Sequence, residues 1–191
     1  MTNPLLRTAR WIVMGLLASA AGPVAHHRLS FGPPSSPLQQ ASAAEQAPSD
    51  TRERVTLSGF HLADLEGHQH DLAEWRGKVV VLSFWATWCI PCRRDLPVFK
   101  ALQTEYGSRG VQFVGIAMDS AALVRRYVFL EGLNYPQLVD YSKAQKLDRL
   151  LGNKLGALPF TVVLDREGRV AERVYGEWDH DEAASTLKRL L

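Results

Sequence analysis

Apolar and polar positions follow two periods along most of the chain. Residues 78–85 and 111–118 are β-branched apolar runs and predict strands buried on both faces. Residues 90–106 carry a helical pattern that stops near Gly107. Residues 121–130, with Arg125 and Arg126 on the polar side, predict an amphipathic helix covering the sheet. A short strand at 137–139 and a helical stretch at 143–151 follow. Two hairpins frame this pattern. Residues 60–63 and 68–71 flank Asp64-Leu65-Glu66-Gly67, and residues 160–164 and 169–175 flank Asp165-Arg166-Glu167-Gly168. Asp179 is placed to cap a last helix running to Leu191. Strands alternating with helices and closing in a hairpin predict an α/β fold over residues 51–191: a mixed central sheet covered by helices, with an N-terminal β-hairpin extension.

The N-terminal part is different. Arg7 and Arg10 precede an apolar run at 11–25, in which Ala18-Ser19-Ala20 resembles a cleavage motif. A helix over that run spans about 22 Å, against roughly 30 Å of bilayer hydrocarbon. Residues 1–25 are therefore read as a cleaved export signal, with an uncleaved membrane anchor through residues 11–25 as the alternative. No cysteine stands near the cleavage motif to carry a lipid. Residues 26–50 are rich in Pro, Ser, Gln and Ala, and predict a disordered linker. The expected location is periplasmic or otherwise extracytoplasmic, secreted or held at the inner membrane.

Composition narrows the function further. Hydrophobic residues make up 46% of the chain, enough for a substantial core. The 22 basic and 20 acidic residues leave a net charge of +2 with no like-charged block, which argues against a nucleic-acid partner. The chain has 2 cysteines, Cys89 and Cys92. So close a pair closes no long loop, which points to chemistry rather than reinforcement. Both fall where a predicted strand meets a predicted helix, in Trp88-Cys89-Ile90-Pro91-Cys92. Unpaired N–H groups at a helix N-terminus and the helix dipole favour an anion at Cys89. Lowering a thiol pKa from about 8.5 to about 7 raises the thiolate fraction at neutral pH from about 3% to half, a gain partly offset by weaker nucleophilicity. Arg93 and Arg94 are expected to add to that effect. Cys92, one turn further in, can attack a mixed disulfide formed at Cys89, and Pro91 suits a first-turn position. Zinc would need two more ligands, and no second cysteine pair exists. Redox exchange is preferred to a static disulfide.

Residues 79–97, VVVLSFWATWCIPCRRDLP, resemble the thioredoxin superfamily, and most closely the TlpA/ResA group of exported thiol–disulfide oxidoreductases. The similarity runs from about Phe60 to the C-terminus. It implies a thioredoxin fold in which Cys89 attacks, Cys92 resolves and Asp95 handles a proton. Asp95 is shorter than the Glu often found there, and Ser83 stands where cytoplasmic thioredoxins carry a buried Asp. The resemblance also implies a cis peptide at Pro159, exposing the Leu158 backbone for strand-like pairing with substrate. Trp85 is expected in the core, Trp88 as an exposed contact surface, and Pro97 as a bend in the helix. Glu177 and Trp178 are expected outside the site, and His68 and His70 on a surface hairpin near Asp71.

The implied activity is reduction of disulfides in protein clients such as apocytochrome c, with a membrane thiol–disulfide electron donor resetting the pair. The Cys89–Cys92 disulfide is the redox group, and no diffusible cofactor is expected. Two alternatives stay open: a thiol peroxidase of the peroxiredoxin type, although Ala86 replaces its Thr, and a copper chaperone, which uses wider cysteine spacing and a distant His or Met.

Overall fold

The computed structural model describes residues 59–191; the export signal, the linker and residues 51–58 of the expected domain lie outside the described residues. A mixed seven-stranded sheet in the order β2-β1-β5-β4-β3-β6-β7 organises these residues. Its strands are β1 (His61–Asp64), β2 (Gln69–Asp71), β3 (Val79–Trp85), β4 (Val111–Ala117), β5 (Gln137–Val139), β6 (Phe160–Leu164) and β7 (Val170–Tyr175). The helices are α1 (Ile90–Tyr106), α2 (Ala121–Glu131), α3 (Tyr141–Leu150) and α4 (His180–Leu190). Both predicted hairpins form, as β1–β2 and β6–β7.

Strand β3 is buried along its whole length. It pairs in parallel with β4 and antiparallel with β6, so both its edges are occupied. Its side chains alternate between two cores. Val79, Val81 and Trp85 pack with Leu96, Phe99 and Leu102 of α1 and with Leu187 of α4. Val80, Leu82 and Phe84 pack with Ala144 and Leu147 of α3. The continuous apolar run follows from this double burial.

Two local outcomes differ from the sequence expectation, one after β2 and one along α2. The chain after β2 makes a 3-10 turn at Leu72–Trp75, because Asp71 accepts the Ala73 N–H at 2.8 Å and Leu72 and Trp75 are buried. Helix α2 covers the sheet less fully than an amphipathic helix should. Val124 is buried, but Leu123, Leu130 and Phe129 are exposed, Phe129 at 84%.

These burial differences predict opposite mutational outcomes. Phe84→Ala, fully buried, should cost about 3–5 kcal/mol. Phe129→Ser should change stability by less than about 0.5 kcal/mol. Urea denaturation of the two variants measures both values.

Candidate active site

Three chain segments meet at one end of the sheet. Phe84 pairs with Phe160 and Phe160 with Tyr175, so β3 ends where β6 begins and β7 ends. The Gly176 N–H donates to the Pro159 carbonyl at 3.0 Å and fixes the exit from β7. The Leu158–Pro159 peptide is cis, as expected. Trp85, the last residue of β3, is buried, and its Nε1–H donates to Gln137 Oε1 at 3.0 Å. Gly115 makes this contact sterically accessible, since a Cβ there would collide with the Gln137 side chain.

The cysteines occupy the predicted junction. Cys89 is the N-cap of α1, and Cys89 and Cys92 form a disulfide with Cα atoms 5.3 Å apart. The Cys92 N–H donates to Cys89 Sγ at 3.3 Å. A helix-terminal N–H therefore faces the sulfur that becomes a thiolate on reduction. Both cysteines are largely buried, whereas their neighbours Trp88 and Ile90 are 67% and 63% exposed. A groove of about 240 Å³ lined by Thr87, Leu123, Arg126, Tyr127 and Leu130 extends the apolar surface onto α2. Thr87 is held by Asp119, whose Oδ2 accepts its hydroxyl and, at 3.2 Å, its N–H.

Asp95, on the next turn of α1, is only 3% exposed. Its Oδ1 accepts the Trp178 N–H at 3.2 Å, and its Oδ2 has no hydrogen-bond partner. Burial pushes its pKa up to about 6, with the Glu177 charge acting in the same direction. The Trp178 N–H and Arg94 oppose that rise without cancelling it. Asp95 is therefore a buried carboxyl and not a solvated acid at the helix N-terminus.

The expectation for Glu177 and Trp178 needs correction. Trp178 is buried, packs edge-on to Phe99 at 6.2 Å, and supplies the hydrogen bond to Asp95. Glu177 forms an ion pair with Arg94. Both belong to the site, although their distance in sequence from the cysteines conceals it. The expected roles of the two arginines also change. Arg94 is engaged by Glu177, while Arg93 lies over the Tyr127 ring at 5.4 Å. These contacts direct both arginines away from Cys89, where the Cys92 N–H at the α1 N-terminus is the donor to the sulfur.

The His pair remains on the surface hairpin, but its partner is Asp64 rather than Asp71. Asp64 Oδ2 lies 3.1 Å from His68 Nδ1 and 3.0 Å from His70 Nε2. Among the described residues, no group of three or more His, Cys, Asp or Glu side chains is placed to hold a metal ion.

Residues 42–191 match the redoxin family. The chain is 33% identical over 132 residues to the thiol-disulfide oxidoreductase ResA of Bacillus anthracis, covering 69% of this chain and 74% of that relative. It is 32% identical over 137 residues to ResA of Geobacillus kaustophilus strain HTA426, covering 71% and 76%. A thiol:disulfide interchange protein of the thioredoxin family from Chlorobium tepidum superposes with a TM-score of 0.61 at 27% identity, over 68% of this chain and 91% of that one. A secreted thiol-disulfide isomerase from Corynebacterium glutamicum gives 0.63 at 26% identity, over 68% and 81%.

The raised pKa of Asp95 has a defined consequence for stability. Between the unfolded value near 3.8 and the folded value near 6, the folded state binds more protons, so stability falls as pH rises. Asp95→Asn keeps an oxygen for the Trp178 N–H and removes the charge. The oxidised variant should be about 2 kcal/mol more stable than wild type at pH 8, and the difference should shrink to about 0.5 kcal/mol at pH 4. Thermal denaturation at the two pH values checks this.

Proposed function

Because the chain belongs to the redoxin family and is a ResA-like thiol–disulfide oxidoreductase, we propose that it reduces disulfides of protein clients outside the cytoplasm through a Cys89–Cys92 dithiol cycle. The observation that carries this reading is the disulfide at the α1 N-terminus with a buried carboxyl one turn further in.

In the reduced protein, the Cys89 thiolate attacks one sulfur of a client disulfide and releases the other client sulfur as a thiolate. A mixed disulfide joins Cys89 to the client. Cys92 loses its proton and attacks Cys89 Sγ, which re-forms the Cys89–Cys92 disulfide and leaves the client as a dithiol. Asp95 is the acceptor for the Cys92 proton: an acid with a pKa near 6 can take up and release a proton close to neutrality. The cycle needs no diffusible cofactor, because the electron pair comes from the two thiols. A membrane thiol–disulfide donor supplies it again.

Trp88 and Ile90 form apolar ground around the reactive sulfur, suited to a polypeptide client. The Leu158 backbone N–H and C=O have no hydrogen bond to another described residue, leaving them available for strand-like pairing with a client chain beside Pro159. An apocytochrome c, with its paired haem-attaching cysteines, fits these requirements. The export signal read at residues 1–25 and the similarity to a secreted isomerase support an extracytoplasmic location.

The trapping variant tests the cycle. Cys92→Ala should retain Cys89 and accumulate disulfide-linked client proteins, separable by reducing against non-reducing electrophoresis and identifiable by mass spectrometry. Recovery of no disulfide-linked protein, from cells in which the variant is exported, would overturn the client reading.

A further inference from the structure

A second carboxyl, Asp148 on α3, is completely buried and has no part in the exchange steps. Its Oδ1 accepts Asn153 Nδ2–H at 2.8 Å. Asn153 is itself 1% exposed and spends its remaining side-chain bonds on one residue. Nδ2 donates to the Ala157 carbonyl at 2.8 Å, and Oδ1 accepts the Ala157 N–H at 3.2 Å. The backbone adds two contacts: Asn153 N–H to the Asp148 carbonyl at 3.1 Å, and Gly156 N–H to the Asn153 carbonyl at 3.2 Å. On the other side of the loop, Leu151 and Gly152 carbonyls accept bonds from Arg173 Nε and the Tyr175 hydroxyl at 2.6 and 3.1 Å.

This arrangement is costly to bury, and an apolar pair of similar volume would fill the space without polar desolvation. An apolar pair could not hold both the N–H and the C=O of Ala157. That residue is exposed, follows an exposed stretch at 154–156, and immediately precedes Leu158. Without the Asn153 bonds, ordering this loop would fall on the client when it binds.

We infer that Asn153, anchored by the buried Asp148 carboxyl, is a positioning residue for client binding: by clamping Ala157 it holds the Leu158 backbone where a client chain pairs beside the cysteines. This inference rests on the exchange function proposed above. It separates two kinds of substrate. A disulfide within an extended peptide needs the Leu158 backbone; a small non-peptide disulfide needs only access to Cys89.

The test uses the reduced full-length protein and two probes, an extended synthetic peptide closed by a Cys-x-x-Cys disulfide and hydroxyethyl disulfide. Asn153→Ala should lower the second-order rate constant for the peptide about tenfold, as expected for loss of two neutral hydrogen bonds. The rate with hydroxyethyl disulfide should stay within about twofold. Asp148→Asn, which keeps an oxygen for the Asn153 amide, should lose less peptide reactivity than Asp148→Ala. The Asp148 pair gives the same comparison if Asn153→Ala does not fold. Equal losses with both probes, or no loss with the peptide, would overturn the positioning role. A wild-type protein inert to both probes would overturn the exchange function, and the clamp with it.

Discussion

The double-sided pairing of β3 is the constraint on which the site depends. Hydrogen bonds to β4 and β6 occupy its edges, and two cores occupy its faces. Its end is therefore fixed, and α1 begins a few residues beyond it with Cys89 as the cap. The same pairing locates the rest. Register with β6 brings Pro159 to this end of the sheet, and register between β6 and β7 brings Glu177 and Trp178 there. A buried strand thus sets the relation between the cysteine pair, the cis Leu158–Pro159 peptide and the cover over Asp95.

Within that frame, burial dominates the electrostatics. Asp95 has one hydrogen bond from Trp178 and a cationic neighbour in Arg94, both of which favour its charged form. Desolvation outweighs them and holds the pKa near 6. The Arg94–Glu177 pair is largely exposed, so its direct contribution to stability is small, on the order of 0–1 kcal/mol. Its greater consequence is local: it keeps the Glu177 charge close to Asp95, where that charge adds to the rise in pKa. The helix N-terminus remains the stabilising feature at Cys89, through the Cys92 N–H.

Most of the fold was legible in the sequence because its signals are local and strong. The β-branched runs, both hairpin turns and the Asp179 cap each produced the expected element. The cysteine pair was legible for the same reason, since a strand-to-helix junction gives two nearby thiols a defined environment. Features that depend on tertiary register were hidden. Trp178 becomes a site residue only through β6–β7 pairing, and Gln137 reaches Trp85 only because Gly115 lies across from it. The exposed face of α2 could not be told from a covering face by periodicity, since Leu123 and Leu130 have the same spacing in either case. Asp148 and Asn153 gave no signal, because a helix acid and a loop amide are ordinary at the surface and informative only when buried together.

In the proposed cycle the reduced Cys89–Cys92 pair, not the disulfide, is the reductant. Helix-terminal stabilisation of a thiolate makes the reduced form easier to reach, and a strongly stabilised thiolate would turn the pair into an oxidant. With one N–H on Cys89 Sγ, Arg94 engaged by Glu177, Arg93 over Tyr127, and a carboxyl one turn away that resists ionisation, the stabilisation is modest. The most direct measurement is the equilibrium reduction potential of the Cys89–Cys92 pair at pH 7 against a glutathione or dithiothreitol couple. A value more negative than about −240 mV, near that of thioredoxin, is the predicted result; a value near −120 mV, typical of a dedicated oxidant, would contradict it.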